Sequence, residues 1–382
     1  NTSGYHLTAV GHYALVANES AQGNTAVGHS ALRAATTGAS NTGIGKHALC
    51  KLTTGANNAA VGYAALCTAT TSYDSVALGG EALTLTTTGH TNTAIGRQAM
   101  CKNTEGANNV AVGAFALCAN TTASDNTAVG KGALLENTTG TRNTAVGKDS
   151  LDANTDGNDN TAIGRTSLSS NTTGDDNAAL GVGALQSNTT GLCNTAIGTQ
   201  AMISSLTGDG NVAVGYKALY TNNGSTPDFN VAIGRQSLCK NTTGYRNVGS
   251  GLNSLFSNTT GHSNVASGDA ALYSNTTGSN NTGLGKDSLI NATTGSANVA
   301  IGVCAGSDAS MINITTESNR FIAGHNDITN SYVKVDWTVT SDLRDKTEIG
   351  DVPHGLEFVD KLKPVSFRFK KSRENPEPHG FK

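Results

Sequence analysis

Residues 126–142 read NTAVGKGALLENTTGTR, and residues 143–159 repeat the pattern as NTAVGKDSLDANTDGND. The glycine that closes each aliphatic-glycine pair is a reference mark; it recurs with a 17-residue period, broken by one 19-residue interval, through 18 repeats. A disordered Asn/Thr/Gly-rich chain has no reason to hold its apolar residues in phase over this length, so the fixed period favours a solenoid. The marks are Gly11, Gly28, Gly45, Gly62, Gly79, Gly96, Gly113, Gly130, Gly147, Gly164, Gly181, Gly198, Gly215, Gly234, Gly251, Gly268, Gly285 and Gly302.

The composition also differs from that of ordinary globular domains. Of 382 residues 46 are glycine, while charged residues make up 14% and aromatic residues 5%. The net charge of −3 gives no reason to expect nucleic acid or an anionic membrane as a partner, since both favour a strongly basic face. We expect no membrane span, because no run approaches the roughly 18 apolar residues required. The opening NTSG is itself a variant of the repeat, so we expect further sequence upstream.

Other columns of the repeat keep their residue types as well. Asn stands four places before the mark in 16 of 18 repeats, with Leu7 and Ser75 as exceptions. Val, Ile or Leu stands one place before the mark in 16 of 18, and Leu or Met four places after it in 17 of 18. The N-T-T-G segments interrupt any i, i+3, i+4 spacing of apolar residues, so helices are not expected. These segments are predicted to be turns, because glycine suits a positive φ and Asn and Thr suit local side-chain-to-backbone hydrogen bonds.

Short strands stacked coil on coil are therefore predicted, in an all-β, parallel β-solenoid or β-roll of 17-residue repeats. Equivalent residues of successive coils would lie about 4.8 Å apart, which turns the Asn column into a hydrogen-bonded ladder and the aliphatic columns into apolar ridges. The inward residues are expected to be mostly Ala, Val and Leu, which provide too little volume for one chain to bury a core alone.

A small residue, Ala or Ser, stands three places after every mark from Ala14 to Ala305. Small residues in a fixed column permit the close approach of another chain, which favours parallel association about a common axis. The repeats resemble the head repeats of trimeric autotransporter adhesins and of viral fibres, which are trimers of parallel β-rolls. The resemblance implies a homotrimer.

The cysteines follow the repeat. Five of the seven, Cys50, Cys67, Cys101, Cys118 and Cys239, stand five places after the mark. Cys50 with Cys67 and Cys101 with Cys118 lie in adjacent coils, within the Cα separation of a disulfide. Small buried hydrophobes are the favoured interpretation, because apolar residues share the column in other coils, namely Val16, Leu135, Ile203, Phe256 and Ile290. No spacing matches a zinc site, and we expect no cofactor.

Three further polar features are candidate binding sites. The place after the mark is basic or histidine in nine repeats, and a solvated face is favoured there over a stripe for anionic glycans; it includes Lys46, Arg97, Lys131, Lys148, Arg165, Arg235 and Lys286. An acidic cluster spans two coils, and turn residues are favoured over a calcium site for Asp152, Asp156, Asp159, Asp175 and Asp176. His12 and His29 are expected to stack, without a ligand role.

No activity on an external substrate is expected of the repeats. Pockets on solenoids usually need loops inserted between coils. The single insertion here is only two positions long and falls near NNGSTPD at 223–229.

The C-terminal part of the chain differs in sequence from the repeats. We predict repeats over 1–306, a β neck over 307–340, where SNRFIAGH and SYVKVDWTVT alternate like strands, and a separate domain over 341–382. That last segment is far richer in charged side chains than the chain as a whole, of which 14% is charged. Its SDLRDKTEI followed by GLEFVDKLKPVSFRFK resembles the start of the endosialidase-type intramolecular chaperone, the S74 peptidase family. The resemblance implies the N-terminal part of a small α+β domain that assembles the trimer of a viral tail spike or fibre and then cuts itself off.

In that family the serine of the S-D pair and a lysine five places later form the cleaving dyad, which implies Ser341 and Lys346 here, with cleavage after Thr340. The chemistry agrees, because the Ser341 hydroxyl can attack the adjacent carbonyl if a desolvated Lys346 accepts its proton. Asp345 acts in the opposite direction, since a neighbouring carboxylate favours the protonated lysine.

The predicted function is the structural shaft of a homotrimeric viral fibre or spike on the virion surface, used for host attachment and assembled by a self-cleaving chaperone. Expected partners are two further copies of the chain, a virion or tail component through the upstream part, and a host surface glycan or protein. Two alternatives stay open: a trimeric adhesin on a cell surface, and the shaft of a glycan-degrading spike whose catalytic domain lies upstream.

Overall fold

The structure is a computed structural model that describes residues 3–222, 228–308, 312–325 and 327–329 and two short strands near the C-terminus. The chain divides into two compact units, Asn1–Thr329 and Asn330–Lys382. In the second unit the described strands Arg368–Lys370 and Pro378–Gly380 pair in an antiparallel manner, with Arg368 opposite Gly380.

The first unit is a parallel β-solenoid with one coil per repeat, as the sequence predicts, and its described residues form no helix. Each coil pairs its single strand in parallel with the equivalent strands of the coils before and after it. Thr127 lies opposite Thr144, one 17-residue step away, and Val212 lies opposite Val231 across the single 19-residue step. The strands are β1 Thr8–Val10, β2 Thr25–Val27, β3 Thr42–Ile44, β4 Ala59–Val61, β5 Val76–Leu78, β6 Thr93–Ile95, β7 Val110–Val112, β8 Thr127–Val129, β9 Thr144–Val146, β10 Thr161–Ile163, β11 Ala178–Leu180, β12 Thr195–Ile197, β13 Val212–Val214, β14 Val231–Ile233, β15 Val248–Ser250, β16 Val265–Ser267, β17 Thr282–Leu284 and β18 Val299–Ile301.

A longer final coil follows the last repeat. Strands β19 Ser307–Asp308 and β20 Ile312–Asn313 form an antiparallel pair, and β21 Phe321–Ala323 then pairs in parallel with β18, Val299 lying opposite Phe321. The strand expected within SNRFIAGH is therefore present and continues the main sheet. The expected strand in SYVKVDWTVT lies outside the described residues, and the domain limits proposed from the sequence stay a prediction.

The interior of each coil is filled by small residues packed against one leucine. Successive side chains of a strand alternate between faces, so the central Ala128 of β8 points inward, and Ala133 and Leu134 close the core from the opposite side; all three are fully buried. Two expectations are wrong. The Val/Ile column points outward, because only the central residue of each short strand faces the core, and the small column contacts its own core instead of another chain.

The coil closes through three corners in the left-handed region of φ. In one repeat they fall at Arg142, Asp149 and Leu151, with φ of 58°, 53° and 49°. Left-handed φ is costly for residues other than glycine and persists only where surrounding contacts enforce it. Leu151 is fully buried, and its N–H donates to the carbonyl of Ser167 in the next coil at 3.0 Å. Burial and an inter-coil hydrogen bond therefore oppose the backbone strain.

Two glycine columns allow the coils to approach each other, for different reasons. Gly147, a mark glycine, has φ of 137°, and a Cβ there would lie 2.5 Å from the carbonyl oxygen of Gly164. Gly140, in the N-T-T-G turn, does not have the positive φ that the sequence suggested; a Cβ on it would collide with the carbonyl oxygen of Gly157. The turn glycine is required by the close approach of the next coil.

The predicted asparagine ladder is present. The backbone N–H of Asn143 donates to Oδ1 of Asn126 at 2.9 Å, and its Nδ2 donates to the carbonyl of Gly157 at 2.7 Å. Where Ser75 replaces asparagine, its N–H donates to Oδ1 of Asn58 and its hydroxyl accepts the N–H of Asn92 at 3.3 Å. A buried amide in this column is satisfied by the coils on both sides.

A second ladder, which the sequence analysis did not identify, uses the asparagine of N-T-T-G. Nδ2 of Asn154 donates to Oδ1 of Asn137 at 2.8 Å and to the carbonyl of Gly157 at 3.0 Å, so that carbonyl joins both ladders. The expected local bond of this asparagine exists, but the threonine bonds across coils: the Thr138 hydroxyl donates to the carbonyl of Thr155 at 3.1 Å. The second ladder runs through Asn103, Asn120, Asn137, Asn154, Asn171 and Asn188 and resumes through Asn222, Asn241, Asn258 and Asn275.

The glycine columns give a first prediction. Gly147→Ala should lower the free energy of unfolding by about 2 kcal/mol or more, because the new Cβ is strained at positive φ and meets the backbone of the next coil. Gly80→Ala is the matched control, since nothing lies within 4 Å of its Cβ position and its φ is not positive. Denaturant unfolding followed by circular dichroism compares the two, and equal losses would contradict the close-approach explanation.

The interruption of the second ladder gives another prediction. Oδ1 of Asn188 and the hydroxyl of Ser205 are buried without a hydrogen-bond partner. Ser205→Asn should stabilise the solenoid by about 1 kcal/mol, because the new amide can donate to Asn188. Leu52→Asn is the control: it is buried between Ala35 and Ala69, which offer the new amide no side-chain partner, and it should destabilise. Thermal unfolding midpoints test the opposite signs, and a shift in the same direction would contradict the ladder's role.

Candidate functional site

The outer sheet face, which we define as the first and third side chains of strands β1 to β18, is the candidate functional surface. Leu180 and Ile197, at the third positions of β11 and β12, are 46% and 40% exposed. Ala179 between the two outward positions of β11 is 2% exposed. The pleat therefore sends the larger aliphatic side chains out of the solenoid.

The outer sheet face is uncharged along its whole length. The strands β1 to β18 contain only Thr, Val, Ala, Ile, Leu, Gly and Ser. Ser250 and Ser267 are the only polar residues in its third-position column. The aliphatic side chains that it exposes most include Val10, Ile44, Val61, Val76, Leu78, Ile163, Leu180, Ile197, Ile233, Val248, Val265, Leu284 and Ile301.

Its dimensions follow from the stacking. Eighteen coils at about 4.8 Å give a length of roughly 85 Å, and a three-residue strand with its side chains is about 10 Å wide, so the outer sheet face covers on the order of 850 Å². Only part of that area is aliphatic, because threonine occupies the first position in nine of the eighteen strands. Monomeric soluble proteins rarely expose contiguous apolar patches larger than a few hundred Å². A standard protein interface buries about 800 Å² per partner. The outer sheet face has the size and chemistry of an interface.

The basic column, directly after the mark, borders this face. Its side chains contact neighbouring side chains of the same solenoid. Lys148 forms an ion pair with Asp149 at 2.9 Å, and the Arg97 guanidinium lies 5.6 Å from the ring centroid of Phe115. These contacts agree with a solvated face of charged residues, the interpretation that the sequence favoured.

The acidic cluster is divided among separate inter-coil contacts. Asp159 forms an ion pair with Arg142 at 2.7 Å, and the guanidinium lowers the pKa of that carboxyl. Asp175 accepts the N–H of Asn158 at 2.6 Å, and Asp156 accepts the Thr139 hydroxyl. Among the described residues no group of three His, Cys, Asp or Glu side chains is arranged to hold a metal ion.

Two further columns bring side chains together. The rings of His12 and His29 lie 5.4 Å apart between centroids, which confirms the predicted stacking. Sγ of Cys101 lies 2.6 Å from Sγ of Cys118, and Cys101 and Cys118 are both half-buried. Cys239, which has no cysteine in the neighbouring coils, is buried.

The predicted cleavage site, Thr340 with Ser341, Asp345 and Lys346, lies outside the described residues. Within the described part of the chain, no helix has the length and apolar character needed to cross a membrane.

The C-terminal segment of the chain is similar to a known protein family. Residues 341–381 match a peptidase S74 family described as chaperone of endosialidase. This confirms the resemblance of the C-terminal segment to that chaperone. No curated protein matches the chain.

Proposed function

We propose that the chain is the shaft of a homotrimeric viral fibre or spike on the virion surface, which holds a host-attachment part at a distance and is assembled by its C-terminal chaperone. The observation on which this mainly rests is the combination of a chaperone-family match over residues 341–381 with a long solenoid whose uncharged outer sheet face is exposed in the single chain. The chaperone family supports self-association into trimers.

In the proposed trimer, the outer sheet faces of three parallel chains meet at a common axis. Burial of this aliphatic surface supplies the stabilisation, at about 25 cal/mol per Å² of apolar surface removed from water. A cyclic arrangement closes the assembly and leaves no apolar face exposed. The basic columns remain at the rim, where water screens them from one another.

The repeats also explain why such a shaft needs a chaperone. One chain can slip by a whole coil against its neighbour and still present nearly the same side chains, because the columns recur in every coil. A globular trimer at the C-terminal end sets the alignment before the shaft associates. Removal of the chaperone afterwards leaves an aligned fibre that is kinetically trapped.

The outer sheet face gives a prediction about assembly. Leu180→Asp with Ile197→Asp should convert the trimer to monomers once the chaperone has been removed, because two neighbouring coils would place carboxylates in an apolar interface. Val182→Asp with Thr199→Asp is the matched control: it changes the same two coils and the same charge at exposed positions of the basic column. Light scattering measures the mass after the protein has assembled with the complete chaperone domain and the chaperone has been removed, and circular dichroism verifies that both variants are folded.

A monomeric parent protein would overturn the trimer. A trimer that survives the double substitution on the outer sheet face, or dissociates equally with the control pair, would show that another surface is the interface.

The chaperone gives a prediction about cleavage. The chain should cut itself between Thr340 and Ser341 only once it is assembled, because a lysine acts as a base only when packing removes its water. Ser341→Ala removes the nucleophile and Lys346→Ala removes the base, so both variants should trimerise and stay full length. Intact-mass measurement distinguishes the species. Parent trimers that retain residues 341–382 would contradict self-cleavage and indicate that Asp345 keeps the lysine protonated.

A further inference from the structure

The cysteine column, five places after the mark, contains two pairs of neighbours and one isolated member. Cys50 and Cys67 follow the third and fourth marks, Cys101 and Cys118 follow the sixth and seventh, and Thr84 separates the pairs. Cys239 has Tyr220 and Phe256 as its neighbours in the column. The chain therefore provides two cysteine pairs and a built-in control at equivalent places of the coil.

The backbone places the paired thiols in contact. Parallel stacking in register holds equivalent Cα atoms about 4.8 Å apart, within the range that a disulfide spans. Sγ of Cys101 is 2.6 Å from Sγ of Cys118, closer than the roughly 3.5–4.0 Å of non-bonded heavy atoms. In the other pair the Cys50 thiol donates to the Cys67 carbonyl at 3.4 Å. The Cα spacing of both pairs therefore lies within the range that a disulfide spans.

We propose that the two pairs are redox clips, in which Cys50 with Cys67 and Cys101 with Cys118 form intrachain disulfides that join adjacent coils when the protein meets a low-molecular-weight disulfide such as oxidised glutathione.

The exchange balances with that oxidant. The Cys118 thiolate attacks one sulfur of oxidised glutathione, forms a mixed disulfide and releases one glutathione thiolate. Cys101 then loses its proton to solvent and attacks the Cys118 sulfur, which expels the second glutathione thiolate. Two protein thiols are oxidised, and one glutathione disulfide is reduced to two thiols. Cys67 and Cys50 react in the same two steps.

The surroundings favour this order of attack. The hydrogen bond from the Cys101 thiol lowers the pKa of Cys118 to about 7, against the opposing effect of partial burial, and the Lys102 ammonium acts in the same direction. Cys50 and Lys51 act on Cys67 in the same way and also lower its pKa to about 7. Cys239, by contrast, has its pKa raised by burial. Each pair therefore holds a thiol that ionises more readily than the isolated cysteine of the same column.

The clips would affect a part of the shaft where hydrogen bonds and packing alone join one coil to the next. Each closes a 17-residue loop between sequential coils, which restricts the unfolded chain and opposes separation of the coils. Both lie among the third to seventh coils, far along the sequence from the C-terminal chaperone. Oxidation would therefore stabilise the shaft after the chaperone has aligned it.

Peptide mapping tests the linkage in the full chain. The protein is reduced, freed of reductant, exposed to oxidised glutathione, alkylated under denaturing conditions and digested. We expect peptides joined through Cys50–Cys67 and through Cys101–Cys118, each about 2 Da lighter than its two reduced components. Cys239 should be recovered with the alkyl group. In Cys101→Ser the first clip should still form, and Cys118 should retain glutathione because no second thiol resolves the mixed disulfide.

Hydrogen exchange provides a second readout. Oxidation should slow amide exchange at least about tenfold in residues 46–118 and leave the coils around Cys239 unchanged, and reductant should reverse the effect. Thiols of the two pairs that stay free or glutathionylated in the oxidised parent protein, or linkages of these thiols between chains, would overturn the proposal. The clips lie within one chain, so this result does not depend on the trimer, which light scattering reports separately.

Discussion

The buried asparagine ladder is the interaction on which the rest of the structure depends. An amide in the interior costs free energy unless its donors and acceptor are paired. Asn143 is fully buried: its Nδ2 donates to the carbonyl of Gly157, and its Oδ1 accepts the N–H of Asn160 in the next coil. The partner of each amide must therefore recur at the same place in the next coil, which explains why the 17-residue period tolerates little variation.

The thinness of the coil follows from the same stacking and determines which surfaces are apolar. Three left-handed corners close the chain on itself within a single repeat, and the enclosed space accepts two small side chains and one leucine, such as Ala128, Ala133 and Leu134. The central strand position that faces this space is Ala or Gly in all eighteen strands. Leu180 and Ile197 lie outside for this reason, so the core geometry itself creates an apolar face on every chain.

Much of this could be predicted from sequence, and the failures have physical causes. The period predicts the coil, the strand in T-A-V and the ladder of Asn126 and Asn143, because each depends only on which residues recur. The direction of Val129 was wrong, since so short a strand does not show which alternate position faces the core. The left-handed φ of Leu134 could not be foreseen, because isolated propensities assign that region to glycine. The sequence predicts that the Cα atoms of Cys101 and Cys118 lie within disulfide range, but it does not predict how close their sulfur atoms lie.

Repetition provides every coil with the same stabilising contacts, but it also allows neighbouring chains of the proposed trimer to pair in several alignments. Coils that depart from the repeat therefore help to distinguish the correct alignment. In the proposed trimer, aligned chains place Ser250 and Ser267 at the same level in all three outer sheet faces, where their hydroxyls can meet one another. A slip by one coil would instead set Ser250 against Ile233 and leave a hydroxyl against an aliphatic side chain, at a cost of about 1–3 kcal/mol per contact. The 19-residue step between β13 and β14 is a second such departure. These irregular coils oppose slippage locally, whereas a C-terminal trimer would set the alignment from the start.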